Sequence, residues 1–113
     1  MSYLLPQDVV SPKDRWTLLG IVYDAGEHAT SVVFGEWDGD PCLATRWNGS
    51  LTDPQSHNSK GHPISNFQPV WFILPDYIAQ ATMKELLMFE ALGDGQVNHD
   101  VLLQAITTLN DKR

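Results

Sequence analysis

The sequence predicts an α+β fold: a four-stranded antiparallel sheet in the order β-β-β-β-α-α, with two C-terminal helices packed on one face. Three observations carry this. Every strand-like run precedes Pro75, and both runs with a helical period follow it. The second and third runs are joined by Asp38-Gly39-Asp40-Pro41, and an Asp-Gly step between apolar runs is a strong short-range hairpin signal. The length, 113 residues, suits one core, so residues 1–113 are read as a single domain.

The first local signal is Ser11-Pro12-Lys13-Asp14. A serine that can cap, a proline at the next position and an acid three residues on predict a single helical turn. Trp16 to Tyr23 follows as the first strand, bounded by Asp24-Ala25-Gly26. Both of its parities are apolar, which predicts cover on both faces of the sheet. Gly20 in its middle predicts a bulge or a close neighbour. Thr30 to Trp37 is the second strand and Cys42 to Trp47 the third, ending at Asn48-Gly49, a pair suited to positive φ. Residues 49–68 read as a long polar loop, with 50–66 expected to be mobile. Pro69 to Leu74 is nearly all apolar and reads as a central, fully buried strand.

Pro75 stops that strand, and Asp76 is expected to cap the helix that runs to Leu92. Asn98 to Leu109 carries apolar residues at 101, 102, 105, 106 and 109, which form one helical face. Asn98 suits its N-cap, and Asp100 suits its first turn. The expected core is Leu18, Val22, Phe34, Leu43, Phe72, Leu74, Leu86, Phe89, Leu102, Ile106 and Leu109. The four tryptophans, Trp16, Trp37, Trp47 and Trp71, lie in or at the ends of strands. A meander sends the first two toward one sheet end and the last two toward the other, most of them filling the core.

Composition narrows the function. Fourteen Asp and Glu face seven Lys and Arg, a formal charge of −7. Binding phosphate backbones or anionic membranes needs a cationic surface, so neither nucleic acid nor membrane is an expected partner. The acids are unevenly spread: Asp24, Glu27, Glu36, Asp38 and Asp40 fall within residues 24–40, which hold no Lys or Arg. Cys42 stands alone, which excludes an intrachain disulfide and predicts a reducing, cytoplasmic setting. Met1 to Val10 shows no basic region followed by an apolar core, so no leader peptide is expected.

Catalytic signatures such as GxSxG, GxGxxG, a Walker loop or HExxH are missing from the sequence. His57 and His62, with Asp53 near them, have the residue types of a metal site or a small enzyme, but they lie in a Gly- and Pro-containing loop without helical spacing. Solvated loop histidines are the better reading, and no catalytic residue, metal or cofactor is expected. In a meander the start of strand one, the second turn and the end of strand four share one sheet end. That end collects Asp14, Glu36, Asp38, Asp40 and Asp76, diluted by Lys13 and Arg15, and it is the expected partner-binding rim.

Gly35-Glu36-Trp37-Asp38-Gly39, Arg46-Trp47-Asn48-Gly49 and Trp71-Phe72-Ile73-Leu74-Pro75-Asp76 resemble a group of short bacterial proteins of unknown function, in which these three motifs occur in the same order. The resemblance spans roughly residues 8–80 and leaves out the helical C-terminus. In that group the segment before the last strand is short and carries an Asn-Pro-Gln-Ser-like stretch. Here Gly61-His62-Pro63-Ile64-Ser65 departs from it, and residues 50–60 look like an insertion. The resemblance implies strand boundaries and no catalytic residue. The expected function is a small acidic protein-binding module, an immunity or antitoxin-type protein neutralising a basic toxin such as a nuclease. The alternatives are a non-catalytic structural or regulatory subunit and, third, an enzyme using the loop histidines.

Overall fold

The computed structural model describes residues 3–52 and 59–111. The sheet has four antiparallel strands in sequential order: β1 (Trp16–Asp24), β2 (Thr30–Trp37), β3 (Asp40–Trp47) and, beyond the short hairpin β4 (Ile64–Ser65) and β5 (Gln68–Pro69), the edge strand β6 (Phe72–Ile73). Two helices follow, α1 (Asp76–Ala91) and α2 (His99–Asp111). This is the expected α+β architecture. Among the described residues no helix is long and apolar enough to cross a membrane.

Local chemistry explains the elements. Asp38 (φ 54°) and Gly39 (φ 81°) make the tight β2–β3 turn, whose two positive φ angles match the twist of the strands. That turn fixes the register Trp37↔Asp40, Gly35↔Cys42 and Val33↔Ala44. β1 carries irregularities between Leu18 and Gly20 and between Ile21 and Tyr23. The expected close neighbour of Gly20 is Val101 of α2: a Cβ on Gly20 would lie 2.8 Å from the valine Cγ1. Asn98 caps α2 as expected, its Oδ1 accepting from the Val101 N–H at 3.2 Å.

Two apolar cores sandwich the sheet. On one face Val22, Val32, Phe34 and Leu43 meet Ala79, Met83 and Leu86 of α1 and Leu102, Ala105 and Leu109 of α2. On the other, Val33, Cys42 and Ala44 meet Val9, Trp16 and Trp71, with Leu4, Leu18 and Ile73 at the margin. The N-terminal segment is therefore the second cover that the apolar parities of β1 predict. A 3₁₀ turn, Pro6–Asp8, shapes that segment and has no counterpart in the sequence reading.

Three expectations change. The run Pro69–Leu74 is not a central strand: β6 is two residues long and closes the sheet at β3. Phe72 pairs with Thr45 on the helix side of the sheet, at an end the helices leave uncovered, and is 54% exposed. The polar loop is not uniformly irregular. His62 bridges Trp47, residues 64–69 form a hairpin, and Ser50 and Gly61 are buried. Residues 53–58 of the segment expected to be mobile lie outside the described residues. Asp76 opens the first turn of α1, while Pro75 holds the N-cap position without a side-chain cap. The single turn expected at Ser11–Asp14 does form, over Pro12–Trp16, with the Arg15 and Trp16 N–H groups donating to the Pro12 carbonyl at 3.1 and 2.9 Å.

Candidate functional site

The antiparallel meander brings three strand ends and the start of α1 to one end of the sheet. Trp16, at the start of β1, pairs with Trp37, at the end of β2, which pairs with Asp40, at the start of β3. The Leu74 N–H donates to the Leu43 carbonyl at 2.9 Å, carrying the chain from β6 to the same end. Asp14, Asp38, Asp40 and Asp76 are exposed there and Glu36 is half-buried. Asp76 shares a cavity of about 210 Å³ with Pro41, Cys42 and Leu74, which sets it beside the start of β3. The Asp38 N–H donates to the Arg15 carbonyl at 2.8 Å, joining the turn before β1 to the β2–β3 hairpin. The Arg15 guanidinium lies 3.4 Å from the Asp38 carboxylate. Both side chains are more than half exposed, so the pair contributes little to stability.

Beside this acidic end lies a cavity of about 360 Å³ that the sequence reading missed. Trp16, Trp37 and Trp71 line it on the face opposite the helices, together with Pro12, Asn66 and Gln68. None of its described lining residues is charged. The Trp16 and Trp71 rings pack at 5.9 Å with a 32° tilt. Trp71 therefore reaches Trp16, rather than grouping with Trp47 at the opposite sheet end. The Trp71 indole N–H donates to the Val9 carbonyl at 3.0 Å. The Trp16 indole nitrogen is buried with no hydrogen-bond partner. Trp37 is half-buried, and the Arg15 guanidinium carbon stands 6.0 Å from its ring centroid. The signal in the sequence was the pairing of three tryptophans with a hairpin. What hid the cavity was the mistaken central strand, which left no room for β4 and β5 above the sheet.

The other end of the sheet is occupied by structural polar chemistry. Asn48 is fully buried; its amide donates to the Gly26 carbonyl at 2.8 Å and its Oδ1 accepts from the Ser31 hydroxyl at 2.7 Å. Asp24 receives the Gly26 N–H at 3.0 Å and the Tyr3 hydroxyl at 2.8 Å. Burial first, then the Asp24 carboxylate, raises the Tyr3 pKa. Glu27 accepts from the hydroxyls of Ser50 and Thr52, which holds its pKa below the usual carboxylate value. Arg46 is 2% exposed and donates to the carbonyls of Val70 at 3.1 Å and Lys60 at 2.5 Å. Burial pushes its pKa down to about 10. Through these bonds Asn48 and Arg46 tie the long loop and the β1–β2 turn to the sheet, while the Arg46 Nη1 stays buried without a hydrogen-bond partner among the described residues.

His62 is exposed and its backbone bridges Trp47; His57 and Asp53 lie outside the described residues. Among the described residues no three His, Cys, Asp or Glu groups gather as metal ligands. Compared with known proteins, the chain matches no family model, no curated protein and no solved structure.

Proposed function

We propose that the protein is a non-catalytic protein-binding module of the immunity or antitoxin type, acting in the cytoplasm, whose acidic sheet end receives a basic surface such as that of a nuclease toxin. The observation that carries this reading is the convergence of Asp14, Glu36, Asp38, Asp40 and Asp76 on one sheet end, in a chain of charge −7. Opposed charge of this kind speeds encounter and selects the partner, while buried anchors set residence time. The cytoplasmic setting rests on Cys42, the single cysteine of the sequence, which is buried. The three sequence motifs brace the frame: Gly35 lies under Trp16, Asn48 ties the turns, and Trp71 anchors Val9.

The test begins with affinity capture from the native host and identification of the partner. Association rates are then measured at about 50 and 300 mM salt, which spans weak and strong screening. Asp38→Asn combined with Asp40→Asn is expected to slow association and to flatten its salt dependence, with a smaller change in dissociation. Equal association rates for the two proteins at both salts would remove the rim from the interface. They would favour a structural or regulatory subunit with no charge-driven partner.

A further inference from the structure

We propose that the cleft of Trp16, Trp37 and Trp71 is the anchor site for an extended, arginine-bearing segment of the cationic partner. An uncharged side chain of that segment enters the cleft, and an adjacent guanidinium covers the Trp37 ring and pairs with Asp38. The proposal rests on the reading of the acidic sheet end and adds to it the chemistry of the bound segment.

Four observations converge on it. The cavity, about 360 Å³, falls within the size range of small-ligand pockets and carries no charged side chain among its described lining residues, which suits a neutral occupant. It opens beside the acidic end: Trp16 follows Asp14 and Arg15, and Trp37 precedes Asp38. Trp16 is 6% exposed and keeps an indole donor without a partner, whereas the Trp71 donor is used on Val9. The nitrogen has no accessible surface in the free protein, so the backbone carbonyl of an extended segment would supply its acceptor only with a shift of the indole. The fourth observation identifies the cation. Arg15 already lies 6.0 Å from the Trp37 ring and 3.4 Å from the Asp38 carboxylate. The chain's own guanidinium thus occupies the place proposed for the partner's. Being half exposed, it is held weakly and is readily displaced.

Arg15 is then an internal competitor, and removing it has a sign that simple charge does not share. The probe is the blocked peptide acetyl-Arg-Leu-Leu-Arg-amide, titrated into ¹⁵N-labelled protein while the four tryptophan indole N–H resonances are followed by NMR. The indole signals of Trp16 and Trp37 are expected to shift saturably and that of Trp47, at the far sheet end, to stay. Acetyl-Glu-Leu-Leu-Glu-amide should produce no shift, and acetyl-Arg-Ser-Ser-Arg-amide should bind more weakly than the leucine peptide. Arg15→Ala is expected to tighten the arginine peptide about threefold, the size of an exposed cation–π contact. Lys13→Ala makes the same change in net charge one turn position away without uncovering Trp37, and should alter affinity by less than about twofold.

Equal tightening by the two variants would overturn the proposal. So would an unmoved Trp16 or Trp37 resonance at saturation, or equal affinity for the leucine and serine peptides. If backbone amides at residues 38–40 shift while the indoles do not, the cleft is excluded and the acidic sheet end still engages cations. No saturable shift at millimolar peptide also refutes the cleft. The acidic sheet end itself is judged separately, by the association rates of the Asp38 and Asp40 variant.

Discussion

Replacing Gly35 with Ala tests whether Trp16 is locked over β2. A Cβ at this position would lie 2.7 Å from the Thr17 carbonyl oxygen and 2.8 Å from Trp16 Cζ2, with Trp16 Cη2 closer still. Comfortable contacts begin near 3.5 Å, so relief needs a movement of about 1 Å. The carbonyl belongs to the β1–β2 ladder and cannot yield alone. The indole is 6% exposed and stacked on Trp71, which is itself tethered to Val9. Overpacking of a site that cannot relax costs about 1–3 kcal/mol, and the upper end applies here. The expected loss is about 3 kcal/mol, or roughly 12 °C in Tm at about 4 °C per kcal/mol for a domain of this size. Urea titration with tryptophan fluorescence measures it. Gly95→Ala is the control: no atom of the described residues lies within 4 Å of its added Cβ, so stability should stay level or rise by up to about 1 kcal/mol. A Gly35→Ala loss below about 1 kcal/mol, or equal effects at the two glycines, would refute the locked indole.

Three further outcomes follow from the packing and the electrostatics. Phe72→Ala should cost less than about 1 kcal/mol in chemical denaturation, because the side chain is 54% exposed; a loss near 3 kcal/mol would return Phe72 to the core. Phe67→Gly should raise stability by about 0.5–1 kcal/mol, since Asn66 (φ 51°) and Phe67 (φ 67°) form a two-residue hairpin turn that favours glycine second, and Phe67 is 85% exposed; a lower Tm would show that the ring has a contact to lose. His99 lies 2.9 Å from the Glu90 carboxylate, and that hydrogen bond, with the attraction of the charge, raises its pKa. A raised folded pKa means stabilisation that is full below the unfolded value of 6.5 and is lost as pH rises through the folded value. His99→Gln should therefore lower Tm at pH 5.5 and leave it unchanged at pH 8.5, and a deficit of the same size at both would assign the effect to packing.

Sequence by itself determined the features that rest on local chemistry. The Thr30–Trp37 strand is bounded by a tight turn whose Asp38-Gly39 pair accepts positive φ, and its limits were legible residue for residue. The helical face of Val101, Leu102, Ala105, Ile106 and Leu109 and the Asn98 cap were equally legible, because period and cap are properties of neighbouring residues. The acidic sheet end followed once the strand directions were known. Tertiary structure alone decided the rest. An apolar run such as Pro69–Leu74 reads the same whether a strand has neighbours on two sides or one; only its place at the sheet edge exposes Phe72. The hairpin at 64–69 has strands of only two residues each, largely exposed and held by pairing, so hydrophobic periodicity passes over it. The Trp71–Trp16 contact joins residues 55 positions apart from opposite edges of the sheet. No local pattern encodes such a contact, and with it came the uncharged cleft beside the acidic end.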